Sequence, residues 1–361
     1  MGIQKIILNF ILRIELGLLS VKKIKKNRIT FISLETDHLT SDFQFIYNEL
    51  DKELYDIKLC LIHYNKNLWG QFLYFLNCLK QLYLVNTSKI VIINDNNYVV
   101  SHFKRKEVTV LQVWHACGAI KKFGNVIPRE YPIANYDYVL STSSYWKKPY
   151  SEAFSVPVDH VLPYGMPRND ELFTKEWIAE KKTQFYQKYP CLKNKKVILY
   201  APTFRGDIYK GFEAIPFPGQ QLIEALGEDY VLMYKYHPLL GNIQLESHSQ
   251  IKNMNKEDTH ELFCICDYLI SDYSSIIFDY MILKKPLLFY TPDLVDYISN
   301  RGVFVDIEQL GYPVCFNEMD LINEIKNYSV SDEIMNKNKS LFFDYQDNQS
   351  TKRIVEFIER L

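Results

Sequence analysis

Short runs of β-branched and apolar residues alternate with longer stretches of helical spacing, and they do so in two successive series. In the first, RITFISL (28–34), DIKLCLIHY (56–64), KIVIIND (89–95), VTVLQVWHA (108–116), YDYVLSTS (136–143) and DHVLPYGMP (159–167) read as strands. SDFQFIYNELDKEL and NLWGQFLYFLNCLKQLYLV fall between them as helices. A charged helical stretch, 168–196, leads to a second series: KVILYAPT (196–203), YVLMYKYHP (230–238), DYLISD (267–272), PLLFYT (286–291) and GVFVDI (302–307). GQQLIEALG, THELFCIC and SSIIFDYMILKK are the helices there. Repetition of this βαβ kind requires crossover connections and so predicts mostly parallel sheets with helices on both faces. The expectation is an α/β chain of two doubly wound domains, 28–170 and 171–330, followed by a helical segment 331–361. Ligands are expected in a central cleft at the carboxyl ends of the strands.

Composition removes several alternatives. The net charge of −1 provides no field to draw nucleic acid. Seven cysteines (Cys60, Cys78, Cys117, Cys191, Cys264, Cys266 and Cys315) are odd in number, scattered, and preceded by no secretory signal. A reducing compartment fits them better than a disulfide framework. Cys264 and Cys266 lack a second Cys or His pair, so buried thiols are expected there and no metal.

Residues 1–27 stand apart. With Arg28 included they carry seven basic residues against one acidic residue, and Ile3, Ile7, Phe10, Ile11, Ile14, Leu18 and Val21 recur at helical spacing. Arg13 and Glu15 in mid-run argue against a spanning helix. Two readings stand: a core helix with a solvated lysine tail, or an interfacial helix with Lys22, Lys23, Lys25 and Lys26 at anionic headgroups.

Five segments place polar or charged residues directly after a strand-like run. They are Trp114-His115-Ala116-Cys117-Gly118, Gly165-Met166-Pro167-Arg168-Asn169-Asp170, Pro202-Thr203-Phe204-Arg205-Gly206, Lys235-Tyr236-His237-Pro238 and Ser271-Asp272-Tyr273-Ser274-Ser275. His115 is a candidate general base, or else a satisfied histidine at a sheet edge. His237 is a candidate donor to a phosphate oxygen, or else a turn residue. Arg205, Arg168 and Arg301 are candidate bidentate anion ligands, or else surface arginines. Lys121 and Lys122 face an anionic substrate or water. Ser274 and Ser275 sit at a predicted helix start over 275–284, where one serine suffices for a cap and a pair with the free N–H groups can hold an anion.

These motifs in order, WHACGAIKKFG, YGMPRND, ILYAPTFR, KYHP, LISDYSSIIFDY and KKPLLFYTPDLVDYISNRGVFVD, resemble the CDP-glycerol glycerophosphotransferases of Gram-positive wall teichoic acid synthesis. The resemblance runs from about residue 108 to 310 and implies a GT-B-like fold of two Rossmann-like domains. The first of these holds the acceptor and the second the CDP-polyol donor. It implies no cofactor, no metal, and peripheral attachment to the inner face of the cell membrane. It places the general base on His115 and a donor-phosphate histidine on His237. Donor phosphate contacts fall on Arg205, Ser274, Ser275 and Arg301, with Asp272, Asp279, Thr203 and Gly118 in support. Lys121, Lys122 and Arg168 are candidate acceptor contacts.

The WHA-x-GA-x-KKFG pattern looks more like the primase branch, which adds the first glycerol phosphate to a saccharide on undecaprenyl diphosphate and releases CMP. A lipid-linked acceptor also favours the interfacial reading of residues 1–27. Alternatives to the primase are a CDP-ribitol or CDP-glycerol polymerase and a capsule polyol-phosphate transferase. From other classes, the rivals are a GT-B sugar transferase using a nucleotide sugar and a non-catalytic membrane-surface protein.

Overall fold

The computed structural model describes residues 3–63, 67–207, 211–237, 240 and 248–361. Met1-Gly2, Tyr64 at the end of the expected strand 56–64, and Pro238 of the expected His-Pro turn lie outside the described residues. The chain divides into two compact units: Met1–Ala116 with Phe123–Asp170 and Phe343–Leu361, and Cys117–Lys122 with Glu171–Phe342.

The first unit holds a six-stranded parallel sheet. Its strands are β1 (Lys25–Ser33), β2 (Asp56–Leu61), β3 (Ser88–Ile93), β4 (Thr109–Gln112), β5 (Tyr138–Leu140) and β6 (Val161–Leu162), in the order β2-β1-β3-β4-β5-β6. The order reverses between β1 and β3, which makes the carboxyl ends of these two strands the switch point where doubly wound sheets bind ligands. Helices α1 (Ile3–Leu19), α2 (Ser41–Glu49), α3 (Leu68–Thr87), α4 (Tyr98–Phe103) and α5 (Lys147–Phe154) connect or cover the strands. Asparagines cap α3 and α4: Asn67 accepts from the Gly70 N–H at 2.7 Å and Asn97 from the Val100 N–H at 2.9 Å.

Helix α1 packs against α3 and α4, and its Leu12 and Leu19 are buried. Most of its expected apolar face points the other way. Ile7, Phe10, Ile14 and Leu18 are 52–69% exposed, and Trp69, Phe72, Leu73 and Leu76 of α3 are exposed as well. Among the described residues no helix is long and apolar enough to cross a membrane.

The second unit repeats the plan with β7 (Lys196–Tyr200), β10 (Tyr230–Tyr234), β11 (Ile251–Asn253), β12 (Tyr268–Ser271), β13 (Leu287–Tyr290) and β14 (Val314–Cys315). Their order is β11-β10-β7-β12-β13-β14, all parallel, with a separate antiparallel hairpin of β8 (Arg205–Asp207) and β9 (Gly211–Glu213). Here the switch point lies between β7 and β12. Helices α6 (Lys175–Lys188), α7 (Gly219–Leu226), α8 (Thr259–Ile265), α9 (Ile276–Met281), α10 (Leu294–Arg301), α11 (Glu318–Lys326) and α12 (Asp332–Phe342) complete the unit.

Three expectations need correction. GVFVDI is not a strand: Gly302 leaves α10 at φ +69°, and the segment makes a single antiparallel bridge, Val303 to Lys121. Backbone bonds from Lys122 N to Gly302 O (3.1 Å) and from Phe304 N to Ile120 O (2.7 Å) extend that contact. They tie residues 117–122 to the second unit, although the sequence rhythm assigned them to the first. The C-terminal segment is also divided: α12 stays with the second unit, whereas α13 (Ser350–Glu359) packs Ile354, Val355 and Ile358 into the core of the first. The Asp170 carboxylate accepts from the Ser350 and Thr351 N–H groups at 2.9 Å each and so anchors the start of α13.

Candidate functional site

In the first unit the chemistry gathers just beyond the switch point. β4 ends at Gln112, and Trp114 then takes a left-handed backbone conformation, φ 64°. A bulky residue held there costs of order 1–3 kcal/mol, and such strain clusters at functional sites. The Gln112 side chain supports the turn by accepting from the Trp114 N–H at 2.7 Å. Trp114 stacks on Phe123 (4.9 Å between ring centres, 15°) and lies against the His115 ring at 3.9 Å. His115 itself is presented outward, its side chain 46% exposed. Its Nδ1 lies 3.2 Å from the carbonyl oxygen of Asn94, which follows β3. An N–H at Nδ1 donating to that carbonyl leaves Nε2 as the basic nitrogen of the ring. Glu35, which follows β1, brings Oε1 to 3.4 Å from the same Nδ1.

Residues after β1, β3 and β4 therefore converge on one imidazole. Glu35 was missed in the sequence. It directly follows the strand RITFISL, and the rule that singled out the other five segments would have found it.

In the second unit the site straddles its own switch point. Asp272, after β12, is fully buried; its Oδ1 accepts from the Thr203 N–H at 2.8 Å and its Oδ2 from Arg205 Nη1 at 2.9 Å. Burial pushes the Asp272 carboxyl up, against the pull of Arg205. Arg205 also donates from Nε and Nη2 to the Asp293 carboxylate, at 2.7 and 3.1 Å, and from Nη1 to the Thr203 carbonyl at 3.3 Å. Its guanidinium lies over Tyr273 and Tyr297, which stack at 3.7 Å. Asp293 is held below the usual carboxylate range, the guanidinium outweighing the effect of burial.

The geometry thus differs from the expectation for Arg205. Its fork faces two carboxylates and knits the ends of β7, β12 and β13 together. Asp293, Tyr273 and Tyr297 complete this arrangement and were not singled out in the sequence.

Lys121 supplies a second cation. Its Nζ donates to Thr203 Oγ1 at 2.8 Å and lies 5.2 Å from the centre of the Phe204 ring. Burial holds its amine down, to about 8, with the carboxylate of Asp272 pulling up and the charges of Arg301 and Arg205 pushing down. Phe204 meets the His237 ring edge-on at 4.9 Å, so Lys121, Thr203, Phe204 and His237 form one continuous edge. His237 is exposed and follows β10.

The serines behave differently from the cap reading. Ser271 is buried and donates to the Ala201 carbonyl at 2.7 Å, a bond between neighbouring strand ends. Helix α9 spans Ile276–Met281 rather than 275–284, and Ser275 at its N-cap position makes no side-chain capping hydrogen bond. Ser274 and Ser275 are half-buried.

The remaining expected residues make the following contacts. Arg168 donates from Nη1 to the buried Asp42 at 2.7 Å, locking the segment after β6 to α2. Asp279 on α9 is buried and accepts from the Cys117 thiol at 3.0 Å, with His260 Nε2 at 3.4 Å. These contacts seat the turn that carries buried Gly118. Lys122 lies against Gly302, next to Arg301 at the end of α10. Cys264 and Cys266 are buried free thiols.

Comparison with known proteins adds three kinds of likeness. The model of a family described as CDP-Glycerol:Poly(glycerophosphate) glycerophosphotransferase matches residues 16–360. The teichoic acid ribitol-phosphate primase of Bacillus spizizenii is 32% identical over 357 residues, covering 93% of this chain and 91% of that protein. The teichoic acid glycerol-phosphate primase of Bacillus subtilis is 33% identical over 309 residues, covering 79% and 77%. A teichoic acid poly(ribitol-phosphate) polymerase of B. spizizenii is 33% identical over 93% of this chain, which spans 56% of that longer protein. Among solved structures, the wall teichoic acid polymerase TagF superposes with a TM-score of 0.73 at 24% identity, covering 98% of this chain and 95% of that one. That likeness shows a shared GT-B-like fold.

Proposed function

The chain belongs to the CDP-glycerol:poly(glycerophosphate) glycerophosphotransferase family, that of the teichoic acid primases and polymerases, and on this premise we propose a specific reaction for it. The protein transfers glycerol phosphate from CDP-glycerol to a hydroxyl of an undecaprenyl-diphosphate-linked saccharide, as a primase, and releases CMP. In this reading His115 Nε2 takes the proton of the acceptor hydroxyl while its oxygen attacks the glycerol-bearing phosphorus. The bond from that phosphorus to the CMP oxygen breaks, and CMP leaves with the electron pair.

The observation that carries the reading is the edge at the second unit's switch point: the half-buried Lys121 ammonium, fixed by Thr203, beside exposed His237 and the Arg205–Asp272 lock. A preorganised cation and hydrogen-bond donors there stabilise the diphosphate and the departing CMP by positioning and electrostatics. Lys121, His237, Ser274, Ser275 and Arg301 are assigned to the donor phosphates. Arg205, Asp272 and Asp293 shape the site behind them. Lys122 is left as the candidate acceptor contact, and Arg168 supports the fold of the acceptor unit.

A second reading replaces CDP-glycerol with CDP-ribitol. The fuller-length match to the ribitol-phosphate primase favours it, 93% of this chain and 91% of that protein against 79% and 77% for the glycerol-phosphate primase.

The acceptor is lipid-linked in both readings, and the exposed apolar faces of α1 and α3 suit the cytoplasmic surface of the membrane. Phe10, Leu18, Trp69 and Phe72 would enter the interfacial region while Lys22, Lys23, Lys25 and Lys26 meet anionic headgroups.

A thermal-shift screen with CDP-glycerol, CDP-ribitol, CMP and UDP-sugars tests the donor class. Stabilisation by the CDP-polyols and CMP is expected, because a ligand that binds the native state raises the melting temperature. Stabilisation by UDP-sugars alone would point to the sugar-transferase rival.

A further inference from the structure

We infer that Glu35 is the positioning residue of His115: its carboxylate orients the imidazole through Nδ1 and stabilises the imidazolium formed when Nε2 takes the acceptor proton. The inference rests on the reading of His115 as the general base and gives that base a partner from the end of β1.

Glu35 is held where it is from three strand ends. Its own N–H donates to Ser33 Oγ at 3.2 Å, at the end of β1. Its carbonyl lies 2.7 Å from His63 Nδ1, beyond β2. The preceding Leu34 N–H donates to Asp95 Oδ2, beyond β3, at 2.6 Å. The backbone is fixed at all these points, and the Glu35 carboxylate stands 3.4 Å from the Nδ1 of His115. The Asn94 carbonyl at 3.2 Å shares the same proton, so the ring carries its N–H at Nδ1 in the resting state. When Nε2 is protonated, the positive charge develops beside a carboxylate.

The surrounding charges favour this role. Asp95 is buried, its Oδ1 has no hydrogen-bond partner among the described residues, and burial raises its carboxyl to about 7 with Glu35 adding to the rise. Burial thus opposes ionisation of Asp95, and Glu35 is the solvent-exposed carboxylate of the two. Burial raises the Glu35 carboxyl somewhat, yet its side chain keeps 42% exposure and can pair with a cation. Among the described residues His63 also meets Glu35, its Nδ1 at the Glu35 backbone carbonyl. The Trp114 ring that lies against His115 brings no charge.

The test replaces Glu35 with Gln, which keeps size and hydrogen bonding and removes the charge, and with Asp, which keeps the charge on a shorter stem. The first readout is the titration of the His115 ring by NMR in the full-length protein, without substrate. Its midpoint is expected to fall by roughly half a unit to one unit in Glu35→Gln, the scale of losing an opposite charge at a half-exposed pair, and by less in Glu35→Asp. In turnover, Glu35→Gln is expected to lower kcat by roughly 10-fold and move the acidic limb of the pH profile down, with the KM for the CDP-polyol unchanged. An unmoved His115 midpoint and an unmoved acidic limb in Glu35→Gln would overturn the inference. The assignment of His115 is judged separately: His115→Ala with normal turnover removes the base, whatever the Glu35 variants show.

Discussion

Lys121 donates to Thr203 Oγ1 at 2.8 Å, and through that bond a lysine from the segment after β4 becomes part of the edge at the end of β7. The lysine was expected to touch the acceptor. Its place beside Thr203, Phe204 and the Arg205–Asp272 pair supports the proposal that it meets the donor phosphates. The charge it offers depends on pH, because burial holds the amine near 8.

Removing that charge should weaken donor binding with little effect on folding. Lys121→Met is expected to raise the dissociation constant for the CDP-polyol about 10- to 100-fold, the value of one charge-assisted hydrogen bond. In the parent protein, affinity should fall as pH rises through about 8, where Lys121 loses its proton. Binding near that pH should take up protons, since the phosphate raises the amine's proton affinity. Calorimetry in two buffers of different ionisation enthalpy reads both effects. The unliganded protein behaves oppositely in stability. Between about 8 and 10.5 the unfolded chain holds the proton that the folded chain has released, so this group's contribution to stability rises with pH across that window.

Arg205 should act through the fold of the site. Arg205→Met leaves Asp272 buried without its guanidinium and is expected to destabilise the protein by about 3–5 kcal/mol in urea unfolding. Combining it with Asp272→Asn should recover part of that loss, because the uncompensated charge is gone. A single variant of unchanged stability would show that the three-strand lock contributes nothing.

The serine pair separates capping from ligand binding. Ser275 makes no capping hydrogen bond, so Ser274→Ala with Ser275→Ala should change unfolding free energy by no more than about 0.5 kcal/mol. The same variant should lose donor affinity. A stability loss of about 1 kcal/mol with normal affinity would restore the cap as their role.

Much of this was legible in the residues. The β-branched runs marked nearly every central strand, because parallel strands covered on both faces are apolar throughout. His115, His237, Arg205 and Asp272 were visible as polar residues at strand ends. Other features depend on contacts that spacing cannot encode. Residues 117–122 join the second unit through a bridge to Val303, in a segment whose apolar run suggested a strand of its own. The role of Arg205 turns on Asp293, 88 residues away along the chain. On α1 the apolar period was real, but the helix is apolar on two faces, and Leu12 and Leu19 are buried while Phe10 and Leu18 face outward.

That outward face is itself testable. Phe10→Glu with Leu18→Glu replaces residues 65% and 69% exposed, so melting should be unchanged. Co-sedimentation with vesicles containing anionic lipid should fall at least about 10-fold, because two buried apolar side chains are lost from the interface. Equal vesicle binding by the variant would move the membrane contact elsewhere.

The proposed transfer needs a CDP-polyol, an acceptor hydroxyl and His115. The direct measurement is CMP release from CDP-glycerol or CDP-ribitol, with and without an undecaprenyl-diphosphate-linked saccharide, by the parent protein and by His115→Ala. Acceptor-dependent CMP release is expected from the parent, with a loss of about 100-fold or more in the variant and donor binding retained. CMP release at the parent rate by His115→Ala, or turnover of a UDP-sugar in place of either CDP-polyol, would contradict the proposal.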